Sequence, residues 1–187
     1  MSEHDEKRYA LRSEPENTGL AYDFFDGIAK VVEQARGHVE RTVNRTICMT
    51  YYEVGQRIVE QEQDGAHRAA YGAKLLSELS SYLTARCGKG WSVGNLKNAR
   101  QFYTVYSPEI RKSVIGELEN RQSLYDFFKL SWTHYIVLMR IKDKHARHFY
   151  EVESVNQQWT VRQLKRQYDS SLFERLALSR DKDGAMR

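Results

Sequence analysis

The chain has 187 residues, a formal net charge of +4 and only two prolines. This length allows one domain or two small ones with a real core, and the scarcity of proline allows long helices. The sequence contains no run of eighteen apolar residues and no apolar segment near its start, which argues against a membrane-spanning helix and a secretory signal. We therefore expect a cytoplasmic protein in which Cys48 and Cys87 are buried or inert thiols.

The first predicted helix is unusually long. Residues 1–19 are polar and are expected to be a disordered tail. From about Tyr22 to Gln63, apolar residues recur at spacings of three or four, which predicts one long helix or two helices broken near Gly37 or Gly55. The residues of this stripe are Ile28, Val32, Ala35, Val39, Val43, Ile47, Tyr51, Val54 and Ile58. At 1.5 Å per residue the stripe exceeds the width of a small domain, so we expect a homodimer through this helix.

The next two predicted helices are separated by a glycine-containing turn. The second helix begins near Ala69 or Tyr71, and Gly88 and Gly90 bracket the turn that follows it. The third helix runs from Ser92 to about Tyr106, and Pro108 is expected to stop it. Its predicted buried face consists of Leu96, Ala99, Phe102, Tyr103 and Tyr106.

The second half of the chain is also predicted to be helical. Residues 109–128 show no clean period and are read as a variable connector. Helices are expected to begin at Ser131-Trp132, after Asp143 as an N-cap, and at Thr160. After Leu178 the composition becomes that of a linker.

A seven-residue pattern, Trp-(Ser/Thr)-Val-x-x-Leu-Lys, occurs at residues 91–97 and again at 159–165. Ser92 and Thr160 are placed as N-caps, and Thr160 with Gln163 completes a capping box. In each copy the Trp precedes the cap and the Leu occupies the fourth helical position, which is the arrangement of a hydrophobic staple. Each copy follows a predicted helix and a short turn, and therefore predicts a helix-turn-helix unit. The alternative is two ordinary helix starts in an all-helical protein.

Basic charge is concentrated around the two Trp patterns. Residues 79–108 contain four bases and no acid, and residues 131–178 contain eight bases against five acids, whereas residues 20–65 contain five bases against eight acids. Small, amide and basic side chains, the types that read bases and hold phosphates, point away from the apolar faces of the two helices. They are Gly94, Lys97, Asn98 and Gln101 on one helix and Arg162, Gln163 and Arg166 on the other. This distribution favours a nucleic-acid partner.

The sequence offers no catalytic constellation. Its Asp-x-Lys at residues 5–7 lies in the predicted tail, and His134, His145 and His148 have no cysteine near them in sequence that would complete a zinc site. No glycine-rich phosphate loop follows a strand, and nothing favours a Ser/His/Asp triad. We expect no catalysis, no metal and no cofactor.

Several stretches, taken in order, resemble the N-terminal domain of the YhcG-like family of bacterial PD-(D/E)XK nucleases. They are residues 43–44, 51–58 (Tyr-Tyr-Glu-Val-Gly-Gln-Arg-Ile), 71–76 (Tyr-Gly-Ala-Lys-Leu-Leu), 79–80, 91–96 with 102–103, 130–135 (Leu-Ser-Trp-Thr-His-Tyr), 149–150 and 159–164. The resemblance covers about residues 28–178. It implies a helical domain that binds DNA, with the nuclease residues on a C-terminal domain of the parent protein that is missing from this chain.

We expect an all-α fold with a long N-terminal helix and two helix-turn-helix-like, winged-helix-related units. The helical domain would span residues 20–178, with halves at 20–108 and 129–178 as one option, and residues 179–187 would begin a linker. The expected function is a non-catalytic DNA-binding or targeting module, and the alternative is a dimerisation or protein-interaction module that assembles the parent nuclease. The predicted nucleic-acid contacts are Arg86, Lys89, Asn95, Lys97, Asn98, Gln101, Arg162, Gln163, Lys165 and Arg166. We expect no membrane partner and no small-molecule substrate.

Overall fold

The structure is a computed structural model that describes the backbone of residues 19–64, 69–113 and 125–185 and the side chains of residues 22–63, 72–110 and 125–178. Within these ranges the regular elements are helical and no β-strand occurs, which confirms the all-α prediction. A winged helix would add strands, so that detail stays a prediction. The helices are α1 (Gly19–Asp64), α2 (Ala69–Cys87), α3 (Val93–Ser113), α4 (Trp132–Leu138), α5 (Lys144–Asn156), α6 (Val161–Asp169) and α7 (Leu172–Ala185).

The long N-terminal helix is a single element, broken at neither Gly37 nor Gly55. Gly55 is buried because the backbone of α3 lies directly against it. A Cβ atom at Gly55 would lie 2.7 Å from the carbonyl carbon of Ala99 and closer still to its oxygen. Glycine is therefore needed here for the close approach of two helices.

Contacts divide the chain into residues 1–40 and residues 41–187. The described part of the first unit is the beginning of α1, where Asp26 and Lys30 form an ion pair at 2.6 Å. The apolar side chains of this unit remain exposed in the single chain. They include Tyr22, Phe24, Phe25, Ile28, Val31, Val32 and Val39.

The second unit contains a core rich in aromatic residues. Phe102 of α3 is fully buried, and the centre of its ring lies 5.0 Å from that of Tyr106 and 5.1 Å from that of Tyr135 on α4. Tyr150 of α5 and Leu164 of α6 are fully buried in the same cluster. Residues on both sides of the predicted connector therefore share this core. A smaller cluster joins α1, α2 and α3 through Ile58, Leu76 and Leu96.

Two helix ends differ from the predictions. α3 continues through Pro108 to Ser113, so residues 109–113 are not connector. Ile110 is buried on the far side of the proline, and burial of this side chain offsets the backbone hydrogen bond that Pro108 cannot donate. α7 continues to Ala185, into the segment predicted to begin a linker, because its alternating charges are as compatible with a helix as with a linker. Residues 1–18 and 114–124, which belong to the predicted tail and connector, lie outside the described residues.

The two cysteines lie in different environments. Cys48 is buried, and burial, with a further contribution from the charge of Glu151, raises the pKa of its thiol to about 12. Cys87 is exposed at the end of α2, so of the two thiols expected to be buried or inert, only Cys48 is buried. Among the described residues, no helix is both long enough and apolar enough to cross a membrane.

Candidate nucleic-acid interface

The first Trp pattern lies where a glycine turn joins α2 to α3. Gly88 and Gly90 have φ angles of 83° and 112°, values that favour glycine, and they lie in the turn between the two helices. Ser92 caps α3 as predicted, because its Oγ accepts from the backbone N–H of Asn95 at 3.3 Å. Trp91 and Leu96 pack in the same apolar cluster, as a hydrophobic staple requires.

The side chain of Asn95 makes three hydrogen bonds within the protein. Its amide nitrogen donates to the carbonyl of Gly90 at 2.6 Å and to the hydroxyl of Tyr51 at 2.7 Å. Its amide oxygen accepts from the indole N–H of Trp132 at 3.1 Å, and the ring of Trp132 stacks on that of Tyr51 with centres 4.2 Å apart. Both ends of the amide are therefore occupied within the protein, and we leave Asn95 out of the proposed interface.

The other predicted contacts of the first helix-turn-helix-like unit lie along the outside of its two helices, α2 and α3. Lys97 and Gln101 are exposed and one helical turn apart, and Asn98 is half-buried beside them. The amide nitrogen of Gln101 also donates to the carbonyl of Met139 at 3.2 Å, at the end of α4. Arg86 and Lys89 are exposed on either side of the turn's first glycine, Gly88.

The second Trp pattern lies where a four-residue turn joins α5 to α6. Gln158 has a φ angle of 50°, an uncommon value for a residue with a Cβ atom, and this residue turns the chain where the first unit uses glycines. Thr160 and Gln163 form the predicted capping box, and Leu164 is fully buried. The predicted contacts of this unit are all exposed. They are Arg162, Gln163, Lys165 and Arg166.

The short helix α4 is hydrogen-bonded to both Trp patterns. Trp132 donates to Asn95 of the first pattern, and the Nε2 atom of His134 donates to the carbonyl of Trp159 in the second at 2.8 Å. Because a carbonyl can only accept, Nε2 carries the proton of the neutral ring, and Nδ1 accepts from the hydroxyl of Ser131 at 2.6 Å. Burial lowers the pKa of His134 and so favours the neutral ring, although the bond to Trp159 opposes this shift. The side chain of Ser131 therefore bonds His134 and does not cap α4.

Residues 27–175 match the family model of the DUF1016 N-terminal domain. The chain belongs to the DUF1016 N-terminal domain family. It is 37% identical over 196 aligned residues to the protein named "Putative nuclease YhcG" of Escherichia coli (strain K12). That alignment covers 95% of this chain and 52% of the relative, so the chain spans about half the length of the curated relative it matches. No solved structure matches the chain significantly.

Two groups of bases in this DUF1016 N-terminal domain differ in their partners. Three arginines are used within the fold, each in an ion pair with an acid from another element: Arg45–Asp126 at 3.4 Å, Arg100–Glu62 at 2.7 Å and Arg147–Glu109 at 2.7 Å. The bases of the predicted interface make no ion pair with any residue in the described part of the chain. They are Arg86, Lys89, Lys97, Arg162, Lys165 and Arg166. Their charges remain available to a partner.

Sequence reasoning missed a buried polar cluster in the same domain. The hydroxyl of Tyr106 donates to the carboxylate of Glu151 at 3.4 Å, and Tyr135 also bonds this carboxylate. Arg147, almost fully buried, lies beside the cluster and pairs with Glu109. Each residue has an ordinary place on its own helix, so only the packing of α3, α4 and α5 brings them together. No group of three or more potential metal ligands occurs among the described residues.

Proposed function

We propose that this chain is a non-catalytic DNA-binding module of a larger protein. The observation that carries the proposal is the difference between two groups of bases: the six predicted contacts are exposed and make no ion pair with a described residue, whereas Arg45, Arg100 and Arg147 are neutralised within the fold. Exposed bases near a helix start are the side chains that bind the phosphates of a duplex and orient the helix on it. The name of the relative, "Putative nuclease YhcG", agrees with a DNA partner for the whole protein.

The proposal assigns different tasks to the two kinds of side chain. Arg86 and Lys89, at the first turn, contact phosphates and fix the position of α3. Lys97, Asn98 and Gln101 then face the groove, where amide and basic groups meet base edges. In the second helix-turn-helix-like unit, the DNA contacts are Arg162, Lys165 and Arg166. Gln163 uses its amide oxygen in the capping box of α6, so its amide nitrogen is the group that contacts the DNA.

A charge-reversal variant tests the proposal. Lys97→Glu, Arg162→Glu and Arg166→Glu together place three acids on exposed positions that make no ion pair with a described residue, so the melting temperature should change little. Binding to a fluorescent duplex should be abolished, because each base that contacts a phosphate would become a repelling acid. The measurement is an anisotropy titration at two salt concentrations, with single-stranded DNA and duplex RNA as comparison probes.

A matched control separates a local contact from an effect of net charge. The control variant carries Arg41→Glu, Arg57→Glu and Lys74→Glu, three exposed bases of α1 and α2 that are not among the predicted contacts. It should bind the duplex as the parent does. A parent that fails to bind at low salt, or two variants with equal affinity, would contradict DNA binding through these helices.

The exposed apolar face at the beginning of α1, within residues 1–40, favours a second role, self-association. Phe25, Ile28, Val32, Ala35 and Val39 follow the alternating spacing of three and four residues that a coiled coil requires, and all five are exposed in the single chain. We propose that a second copy of the chain covers this face. A dimer would also present two DNA-binding modules to two half-sites.

One substitution among these five apolar residues, here called the dimer stripe, tests the dimer. The parent should sediment as a dimer at micromolar concentration. Val32→Asp should raise the dimer dissociation constant by at least about a hundredfold, because two unpaired carboxylates would be buried against each other. Gln34→Asp adds the same charge at an exposed position outside the dimer stripe, and should leave the dimer intact. Sedimentation of the parent as a monomer at high concentration would remove this role.

A further inference from the structure

The turn between α4 and α5 carries a group of exposed bases that sequence analysis did not single out. Arg140, Lys142 and Lys144 are exposed at alternate positions, and none of them makes an ion pair with any residue that the structure describes. Asp143 is the one acid among residues 140–148. Its carboxylate is occupied as the N-cap of α5, accepting from the backbone N–H of Ala146 at 2.7 Å, and this bond lowers its pKa.

The backbone of this turn is anchored to the core. Ile141, between two of the exposed bases, is 2% exposed. Its carbonyl accepts from the guanidinium of Arg147 at 3.2 Å, and Arg147 is held in turn by Glu109 of α3. The charged side chains therefore project from a fixed backbone, which lowers the entropy lost when a ligand orders them.

The turn is also continuous with the face of α3 that carries Lys97 and Gln101. The amide of Gln101 donates to the carbonyl of Met139, the residue that immediately precedes Arg140. Further along the same helix, Glu109 holds Arg147 of α5. The basic turn thus lies beside α3, next to the exposed residues already placed in the interface.

We propose that Arg140, Lys142 and Lys144 form a further binding site whose ligand is the phosphodiester backbone of the duplex bound by α3. This inference rests on the DNA-binding function proposed above and adds a site to it. The three bases contact consecutive phosphates beside the groove that α3 enters. They contribute affinity and position, and they do not read the base sequence.

The test is a neutral variant, Arg140→Gln with Lys142→Gln and Lys144→Gln, compared with the parent in salt titrations on two duplexes of unrelated sequence. Loss of three phosphate contacts should reduce the slope of log affinity against log salt by about 2.7, at about 0.9 per contact. The affinity lost between 50 and 200 mM salt should then be roughly 40-fold smaller in the variant than in the parent. The reduction should be the same for both duplexes.

The controls separate failure of this site from failure of the proposed function. Arg41→Gln with Arg57→Gln and Lys74→Gln removes the same charge from α1 and α2, and should keep the parental slope. Parental slope and affinity in the turn variant, when the parent binds DNA and the Lys97 charge-reversal variant does not, would overturn this inference alone. An equal reduction in the control variant would also overturn it, because net charge would then explain the effect. A parent that binds neither duplex would overturn the proposed function itself.

Discussion

The indole N–H of Trp132 donates to the side-chain oxygen of Asn95 at 3.1 Å, across 37 positions of sequence. The same amide bonds Gly90 and Tyr51 through its nitrogen. This single side chain ties the turn before α3 to α1 and α4. An asparagine that sequence analysis placed among the DNA contacts is thus a structural link between three helices.

Asn95→Ala should lower the free energy of unfolding by about 1–3 kcal/mol, since it leaves the indole N–H of Trp132 without its partner. Tyr51 and Gly90 each lose their bond to the amide as well, although the Tyr51 hydroxyl still donates to the carbonyl of Gly90 at 3.1 Å. Asn98→Ala, three residues along the same helix, is the matched control, and it should cost less than about 1 kcal/mol. Urea unfolding of both variants gives the comparison. Equal costs would show that the hydrogen bonds of Asn95 contribute nothing beyond the substitution itself.

The buried Trp residue should matter more to stability than the two repeated ones. Trp132 is 8% exposed, whereas Trp91 and Trp159 are half-buried. Trp132→Ala should cost about 3–5 kcal/mol, the usual range for a large aromatic deletion, and Trp91→Ala and Trp159→Ala should each cost less. Thermal and urea melts that give the opposite order would contradict the packing described for α4.

Two glycines of α1 should respond in opposite directions to the same substitution. Gly55→Ala should destabilise the protein by about 2–3 kcal/mol, because the new methyl group would overlap the backbone of Ala99. Gly27 has no neighbouring atom within 4 Å, so Gly27→Ala should stabilise the helix by about 0.5–1 kcal/mol. Circular-dichroism melts of the two variants check the signs, and a stabilising Gly55→Ala would refute the close contact of α1 with α3.

Glu151 should make stability depend on pH. Burial, with a further contribution from the charge of Glu109, raises the pKa of its carboxyl group from 4.5 to about 7, although hydrogen bonds from Tyr135 and Tyr106 partly oppose the shift. Between these two values the folded chain keeps a proton that the unfolded chain releases. The stabilising contribution is therefore complete below about pH 4.5 and is lost as the pH rises through about 7. The total loss in the free energy of unfolding is about 3 kcal/mol at most.

Glu151→Gln removes this titration while keeping the shape of the side chain. Between pH 5 and pH 8, the free energy of unfolding of the variant should fall less than that of the parent. The stability of the variant relative to the parent should therefore increase as the pH rises. Urea unfolding at four pH values across this range measures the difference. Curves that stay parallel would show that the carboxyl group titrates equally in the folded and unfolded chains.

The sequence by itself determined the features that depend on neighbours within one turn of helix. Thr160 and Gln163 form the predicted capping box, and Asp143 caps α5, because a cap joins a side chain to backbone groups two or three residues away. The buried face of α3 was predictable because helical periodicity fixes which residues share a side. For the same reason, the exposed positions of Lys97, Arg162 and Arg166 could be predicted from the sequence.

Only the tertiary structure decided which of these residues are occupied by partners far along the chain. Asn95 bonds Trp132, and Gln101 lies beside the basic turn, because separate helices pack on one another. For the same reason α3 continues past Pro108, where Ile110 is buried. Periodicity in a sequence gives the direction of a side chain from its own helix axis, but not the helix it will face. The free energy of these contacts comes from groups brought together only when the aromatic core closes, so no local pattern could reveal them.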